Sequence, residues 1–173
     1  VTAARNYATN EGGAFFIEGD NCQIYNSEFT DNVAGDDGGA INWEGDNGHI
    51  EGCNFKNSTA LSMWDIHELK YHTSKGGAVS ITGDNLEILN SNFTDSSTKN
   101  NGNNENFGGT LFITGENVKI DGCEFNNSTS TLSDGGAIYI IGDHTEISNS
   151  AVSNSDARSG GAIYSTGSYC TVY

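Results

Sequence analysis

The sequence predicts an all-β fold, a right-handed parallel β-helix (β-solenoid) with three short strands per rung and five to six rungs, and three observations predict it. A Gly-Gly pair recurs at Gly12, Gly38, Gly76, Gly108, Gly135 and Gly160. A further glycine stands seven residues after the first member of every pair, at Gly19, Gly45, Gly83, Gly115, Gly142 and Gly167. Behind that frame, Ile24, Ile50, Ile88, Ile120, Ile147 and Val172 occupy offset twelve, and Phe29, Phe55, Phe93, Phe125 and Val152 occupy offset seventeen. One rung cannot bury its own apolar face, so the core has to come from stacking.

The elements follow in order along the repeat. Val1 to Glu11 read as the tail of a preceding rung, with Val1 at the position of Val152, and the solenoid is expected to continue upstream. In each full rung alternate apolar residues (Phe15/Ile17, Ile41/Trp43, Val79/Ile81, Leu111/Ile113, Ile138/Ile140) mark a first strand with every second side chain inward. A Gly-Asp pair follows in four copies and suits a turn with positive φ and Asx bonding. The second strand carries the inward column Cys22, Gly48, Leu86, Val118, Thr145 and Cys170 beside the Ile column. Asn26, Gly52, Asn90, Gly122 and Asn149 then occupy offset fourteen; Asn and Gly tolerate the left-handed region, so these residues mark a corner. A third strand is centred on the Phe column. Successive rungs pair in parallel about 4.8 Å apart, and parallel crossovers are almost always right-handed. Residues 1–173 form one solenoid segment with rungs starting near 12, 38, 76, 108, 135 and 160 and insertions at about 59–75 and 96–107.

Composition excludes several classes of function. The chain of 173 residues has 23 glycines, no proline and a formal charge of −16. Such a surface repels nucleic acid and anionic membranes and attracts cations or basic partners. No stretch is apolar enough to cross a bilayer. Cys53 and Cys123 share an offset two rungs apart, about 9.6 Å at the strand spacing, beyond the roughly 7 Å that a disulfide spans. Cys22 and Cys170 share another, five rungs apart. All four are expected to be free thiols facing the core.

The segments GGAINWEGDNGHIEGCNFKNSTA (Gly38 to Ala60) and GGAIYIIGDHTEISNS (Gly135 to Ser150) resemble the repeats of adhesin-like surface proteins of methanogenic archaea. More loosely, the chain resembles the polymorphic outer-membrane proteins of chlamydiae, which are marked by GGA(I/L/V) and FxxN tetrapeptides. Here GGAI stands at Gly38, Gly135 and Gly160, GGAV at Gly76, and FxxN in full at Phe29 to Asn32, while Gly108 opens GGT. The resemblance covers nearly the whole chain and concerns a scaffold. It implies an extracellular, cell-surface β-helix used in adhesion or envelope structure, with a glycan or a protein on another cell, or neighbouring copies of itself, as partner.

Four groups of residues are candidates for chemistry. Phe112, Tyr139 and Tyr164 fall at outward offset four on consecutive rungs, an aromatic stripe able to take a sugar or a protein, or to stabilise neighbouring strands. The first insertion carries Leu61, Met63, Trp64, Ile66, Leu69 and Tyr71 at near-helical spacing, and Trp64 and Tyr71 are its expected contact residues. Asp20, Asp46, Asp84, Glu116 and Asp143 stack as a carboxylate ladder that suits Ca²⁺ or serves the turn backbone; no cofactor is required. Asn57, Asn92, Asn126 and Asn127 are N-x-Ser/Thr glycosylation acceptors.

The reading is therefore a non-catalytic adhesin-like module or stalk, with a structural subunit of a filament or envelope layer as the alternative. A polysaccharide lyase or hydrolase is the second alternative. That chemistry needs converging charges, and Arg5, Lys56, Lys70, Lys75, Lys99, Lys119 and Arg158 share no strand offset in adjacent rungs. Asp36 and Asp37 are expected to point to opposite faces of a strand, and His67 and His72 to be solvated in their loop. An enzyme would instead require a long loop to bring a basic residue against carboxylates.

Overall fold

The computed structural model describes residues 1–99 and 106–173, and every regular element among them is a strand. The three strands expected of each rung are present. They stack into three six-stranded parallel sheets: Phe15–Glu18 with its equivalents, Gln23–Tyr25 with its equivalents, and a sheet that starts at Thr2–Ala4 and Glu28–Thr30. The architecture is a parallel β-solenoid.

Two details of the expected rung need correction. A fourth short strand closes five successive turns, at Tyr7–Ala8, Val33–Ala34, Thr59–Leu61, Ser97–Lys99 and Thr129–Ser130, so the rungs starting at Gly12, Gly38, Gly76 and Gly108 have four strands rather than three, while the next rung has only an isolated bridge at Asp156. Its inward column is Ala34, Ala60, Thr98 and Ser130, all buried, and side chains that small leave no hydrophobic signal in the sequence. The second detail concerns the first residues: Ala3, not Val1, pairs with Phe29 and stands in the Phe column. The fourth strand also narrows the insertions. Thr59–Leu61 and Ser97–Lys99 belong to the scaffold, so the first insertion starts at Ser62, while the heart of the second, 100–105, lies outside the described residues.

Packing explains the register. Phe29, Phe55, Phe93 and Phe125 stack face to face with centroids 4.7–4.8 Å apart, the strand spacing itself. Trp43 stands in a column with Ile17, Ile81, Ile113, Ile140 and Ser165, and its indole fits because Gly48 faces it: a Cβ there would lie 2.9 Å from the ring. The glycine at offset seven is required by close approach between rungs, since a Cβ at Gly45, Gly83, Gly115, Gly142 or Gly167 would stand 1.8–2.3 Å from the carbonyl oxygen of the glycine one rung below. Corners use the left-handed region repeatedly, with Asn26, Asn90 and Asn149 at φ 46–48° as their identity predicts.

The cysteines are free, and Cys53 and Cys123 are buried as expected; Cys22 is half-buried and Cys170 is exposed rather than facing the core. Cys53 and Cys123 share a corner column with Ser27, Ser91 and Ser150. Each of the five donates from its side chain to the carbonyl two residues earlier. Burial raises both thiols, Cys123 to about 11, so they stay protonated and unreactive at neutral pH.

Candidate functional site

Where the scaffold is interrupted, an antiparallel hairpin emerges in place of the helical arrangement that apolar spacing suggested. Trp64–Asp65 pairs with Lys70–Tyr71, closed by a turn in which Leu69 takes φ 53°. A bond from the His72 N–H to the Met63 carbonyl (2.9 Å) and one from the Ser62 hydroxyl to the His72 carbonyl tie its base. Trp64 and Tyr71 meet edge to face at 5.1 Å. The outer side of the hairpin stays open: Met63, Trp64, Ile66 and Leu69 are 37%, 50%, 72% and 69% exposed.

The insertion carries two basic side chains onto carboxylates of the rung before it. His72 Nδ1 lies 2.8 Å from Asp36 Oδ2, and Lys75 Nζ lies 3.1 Å from Asp37 Oδ2. Asp36 and Asp37 occupy a bend rather than a strand, so both carboxylates turn toward the insertion, contrary to the alternation expected of them, and His72 is paired rather than merely solvated. Burial raises the Asp37 carboxyl from 3.8 to about 6; Lys75 opposes the shift, while Glu11 and Asp36 add to it. Between hairpin and rung lies a cleft of about 270 Å³ lined by Thr9, Asn10, Asp36, Met63, Trp64, Ile66 and His72. An indole face, an apolar rim and a carboxylate floor let this cleft hold a ligand that has both an apolar face and hydrogen-bond donors.

The aromatic stripe is stacked as its register predicts, with Phe112–Tyr139 at 5.5 Å and Tyr139–Tyr164 at 4.8 Å. It is largely covered, however. Phe107 packs 4.8 Å from Tyr139, the Lys75 ammonium sits 5.5 Å from the Phe112 centroid, and Phe112 and Tyr139 are only 6% and 9% exposed. Tyr164 is half-buried. Of the expected contact residues, Trp64 is therefore the most exposed, with Tyr71 half-buried beside it.

The carboxylate ladder bonds to backbone. Asp46 N–H donates to Asp20 Oδ1 (2.9 Å), Asp84 N–H to Asp46 Oδ1 (2.9 Å), Glu116 N–H to Asp84 Oδ1 (2.8 Å) and Ser168 N–H to Asp143 Oδ1 (2.7 Å). The four aspartates of the ladder thus each fasten the next rung. Among the described residues no three acidic, His or Cys side chains converge as a metal site, and the oxygens a Ca²⁺ would need are in part engaged by these N–H groups. A parallel ladder runs along the acceptor edge: Asn57 Nδ2 donates to Asp31 (2.7 Å), Asn127 Nδ2 to Asp95 (2.6 Å) and Asn92 Nδ2 to Asn54 (3.1 Å), while Asn126 Oδ1 accepts from Asn154 (2.9 Å).

Comparison with known proteins adds one observation. The Chlamydia polymorphic membrane protein (Chlamydia_PMP) repeat matches residues 26–42. That stretch holds the FxxN motif, and the structure gives the motif a physical basis: buried Asn32 donates to the Ala3 carbonyl (2.9 Å) and accepts from the Asn6 backbone and side chain (3.1 and 2.9 Å), stitching a corner to the rung below. No curated protein and no solved structure matches the chain. Over residues 26–42 the chain is thus similar to a chlamydial membrane-protein repeat, and nothing in the comparisons extends the likeness to the archaeal adhesins.

Proposed function

We propose that this chain is a non-catalytic, adhesin-like repeat module of a cell-surface protein, and that it contacts a glycan or a protein of a partner cell through the hairpin that begins at Ser62. The observation that carries this reading is the hairpin that interrupts the solenoid, on which Met63, Trp64, Ile66 and Leu69 are exposed together beside a cleft that also holds Asp36 and His72. Similarity to a chlamydial polymorphic membrane protein repeat supports the surface location. Flat amphipathic rings such as Trp64 suit both sugars and proteins.

The polysaccharide lyase or hydrolase is the second reading, because a long insertion does bring His72 and Lys75 against Asp36 and Asp37. Each basic group there is already matched by a carboxylate, which favours an anchoring role for the pairs. Incubation with a panel of cell-wall and host polysaccharides, with and without Ca²⁺, separates the readings. Retention without release of shortened products supports the adhesive module. Product release overturns it in favour of the enzyme, and the absence of both moves the function to a stalk, filament or envelope layer.

A further inference from the structure

Glu11, Asp37 and Lys75 each immediately precede the Gly-Gly pair of their rung, so they stack in one column on three consecutive rungs. Backbone bonds hold them in step: Gly12 N–H donates to the Asp37 carbonyl (2.9 Å) and Gly38 N–H to the Lys75 carbonyl (2.8 Å). Lys75 Nζ reaches Asp37 Oδ2 at 3.1 Å, with the two side chains 35% and 14% exposed. The other Asp37 oxygen, Oδ1, is buried with no hydrogen-bond partner. On the far side of Asp37, Glu11 is held in place by a 2.9 Å bond from Asn42 Nδ2, and the Phe112 ring flanks the Lys75 ammonium.

We propose that Lys75 and Asp37 condense spontaneously into an intramolecular isopeptide bond, with Glu11 as proton shuttle, so that the root of the hairpin is joined covalently to the preceding rung. In the step, the Lys75 ammonium first passes one proton to the Asp37 carboxylate 3.1 Å away, which leaves a neutral amine beside a neutral acid. The amine lone pair then attacks Asp37 Cγ. Glu11 accepts a proton from the nitrogen of the tetrahedral adduct and returns one to the departing hydroxyl. The C–O bond breaks, one water leaves, and an amide between Nζ and Cγ remains; carboxylic acid plus amine gives amide plus water, with no oxidant or activating group required.

Two physical arguments support the step. A pre-positioned pair gains an effective molarity of about 10⁵–10⁸ M, enough to carry a condensation that free amine and acid do not complete in water. Burial and the neighbouring Glu11 and Asp36 charges favour the neutral acid of Asp37, the electrophilic form, near neutral pH. The geometry has a use as well: an amide would add a covalent tie at the root of the hairpin to the backbone bond from the Gly38 N–H to the Lys75 carbonyl and to the Lys75–Asp37 ion pair.

Intact-mass spectrometry of the purified, reduced chain tests the proposal, followed by peptide mapping. The expected result is a mass lower than that of the sequence by one water, with a branched peptide joining the segments that contain Asp37 and Lys75. Lys75→Arg and Asp37→Ala should each restore the full mass. Glu11→Ala should restore it while the chain elutes as a folded monomer in gel filtration, which separates lost catalysis from lost folding. Full mass in the folded wild-type chain overturns the proposal, as does a water-loss product that maps elsewhere or persists in Lys75→Arg. The readout is independent of ligand binding, so it stands or falls apart from the adhesive reading.

Discussion

Among the aromatic residues that face away from the solenoid core, the stripe and the hairpin meet opposite fates. Phe112 and Tyr139 stand at outward positions of a strand yet are buried, because Phe107 and Lys75 fold over them. Trp64 lies in an insertion with no regular register and is half exposed. Position on a strand decides which way a side chain points. Only what packs across that face decides whether it meets solvent. The stripe therefore holds rungs together, while the hairpin keeps its apolar side chains open to solvent.

Substitutions can break this comparison, beginning with the largest effect. Phe93→Ala empties the middle of the inner stack between Phe55 and Phe125 and should cost about 3–5 kcal/mol in urea unfolding. Tyr139→Ala should cost about 2 kcal/mol, the value for a buried aromatic; a cost near zero would return the stripe to the surface.

A pH titration sharpens the account of the hairpin root. With Asp37 raised to about 6 by burial, the folded state holds its proton more tightly than the unfolded state. Stability in Lys75→Arg, where no amide can form, should then be highest at pH 4 and fall on the order of 2 kcal/mol as pH rises through about 6. The wild-type chain, with Asp37 tied up as an amide, should lack that slope. Asp84→Ala removes the acceptor of the Glu116 N–H and should cost about 1 kcal/mol or less, and added Ca²⁺ should leave the melting temperature unchanged if the ladder serves the backbone alone. Trp64→Ala should change stability by less than about 0.5 kcal/mol.

Most of the scaffold was legible in the sequence because each rung repeats the same physical demand. Glycine at offset seven, where carbonyls of adjacent rungs crowd any Cβ, and Phe at seventeen, where rings stack, gave the register before any coordinate did. The fourth strand leaves no such signal, because Ala34, Ala60, Thr98 and Ser130 fill its inward column without a hydrophobic pattern. The hairpin is hidden behind helical spacing that Met63, Trp64, Ile66 and Leu69 satisfy by coincidence, and the left-handed Leu69 that closes its turn carries no Gly or Asn signature. Strand alternation predicts opposite faces for Asp36 and Asp37, and it does not hold in a bend. Their meeting with His72 and Lys75 depends on where a long insertion returns, and no local pattern encodes that.

The central claim is that the hairpin, not the stripe, is the binding surface. The direct measurement compares retention of Trp64→Ala and Tyr139→Ala on whichever polysaccharide or cell surface retains the wild-type chain, with melting curves recorded for both. The account predicts that Trp64→Ala loses retention with unchanged melting while Tyr139→Ala melts earlier yet still binds below its transition. Full retention by Trp64→Ala together with loss in folded Tyr139→Ala would contradict it.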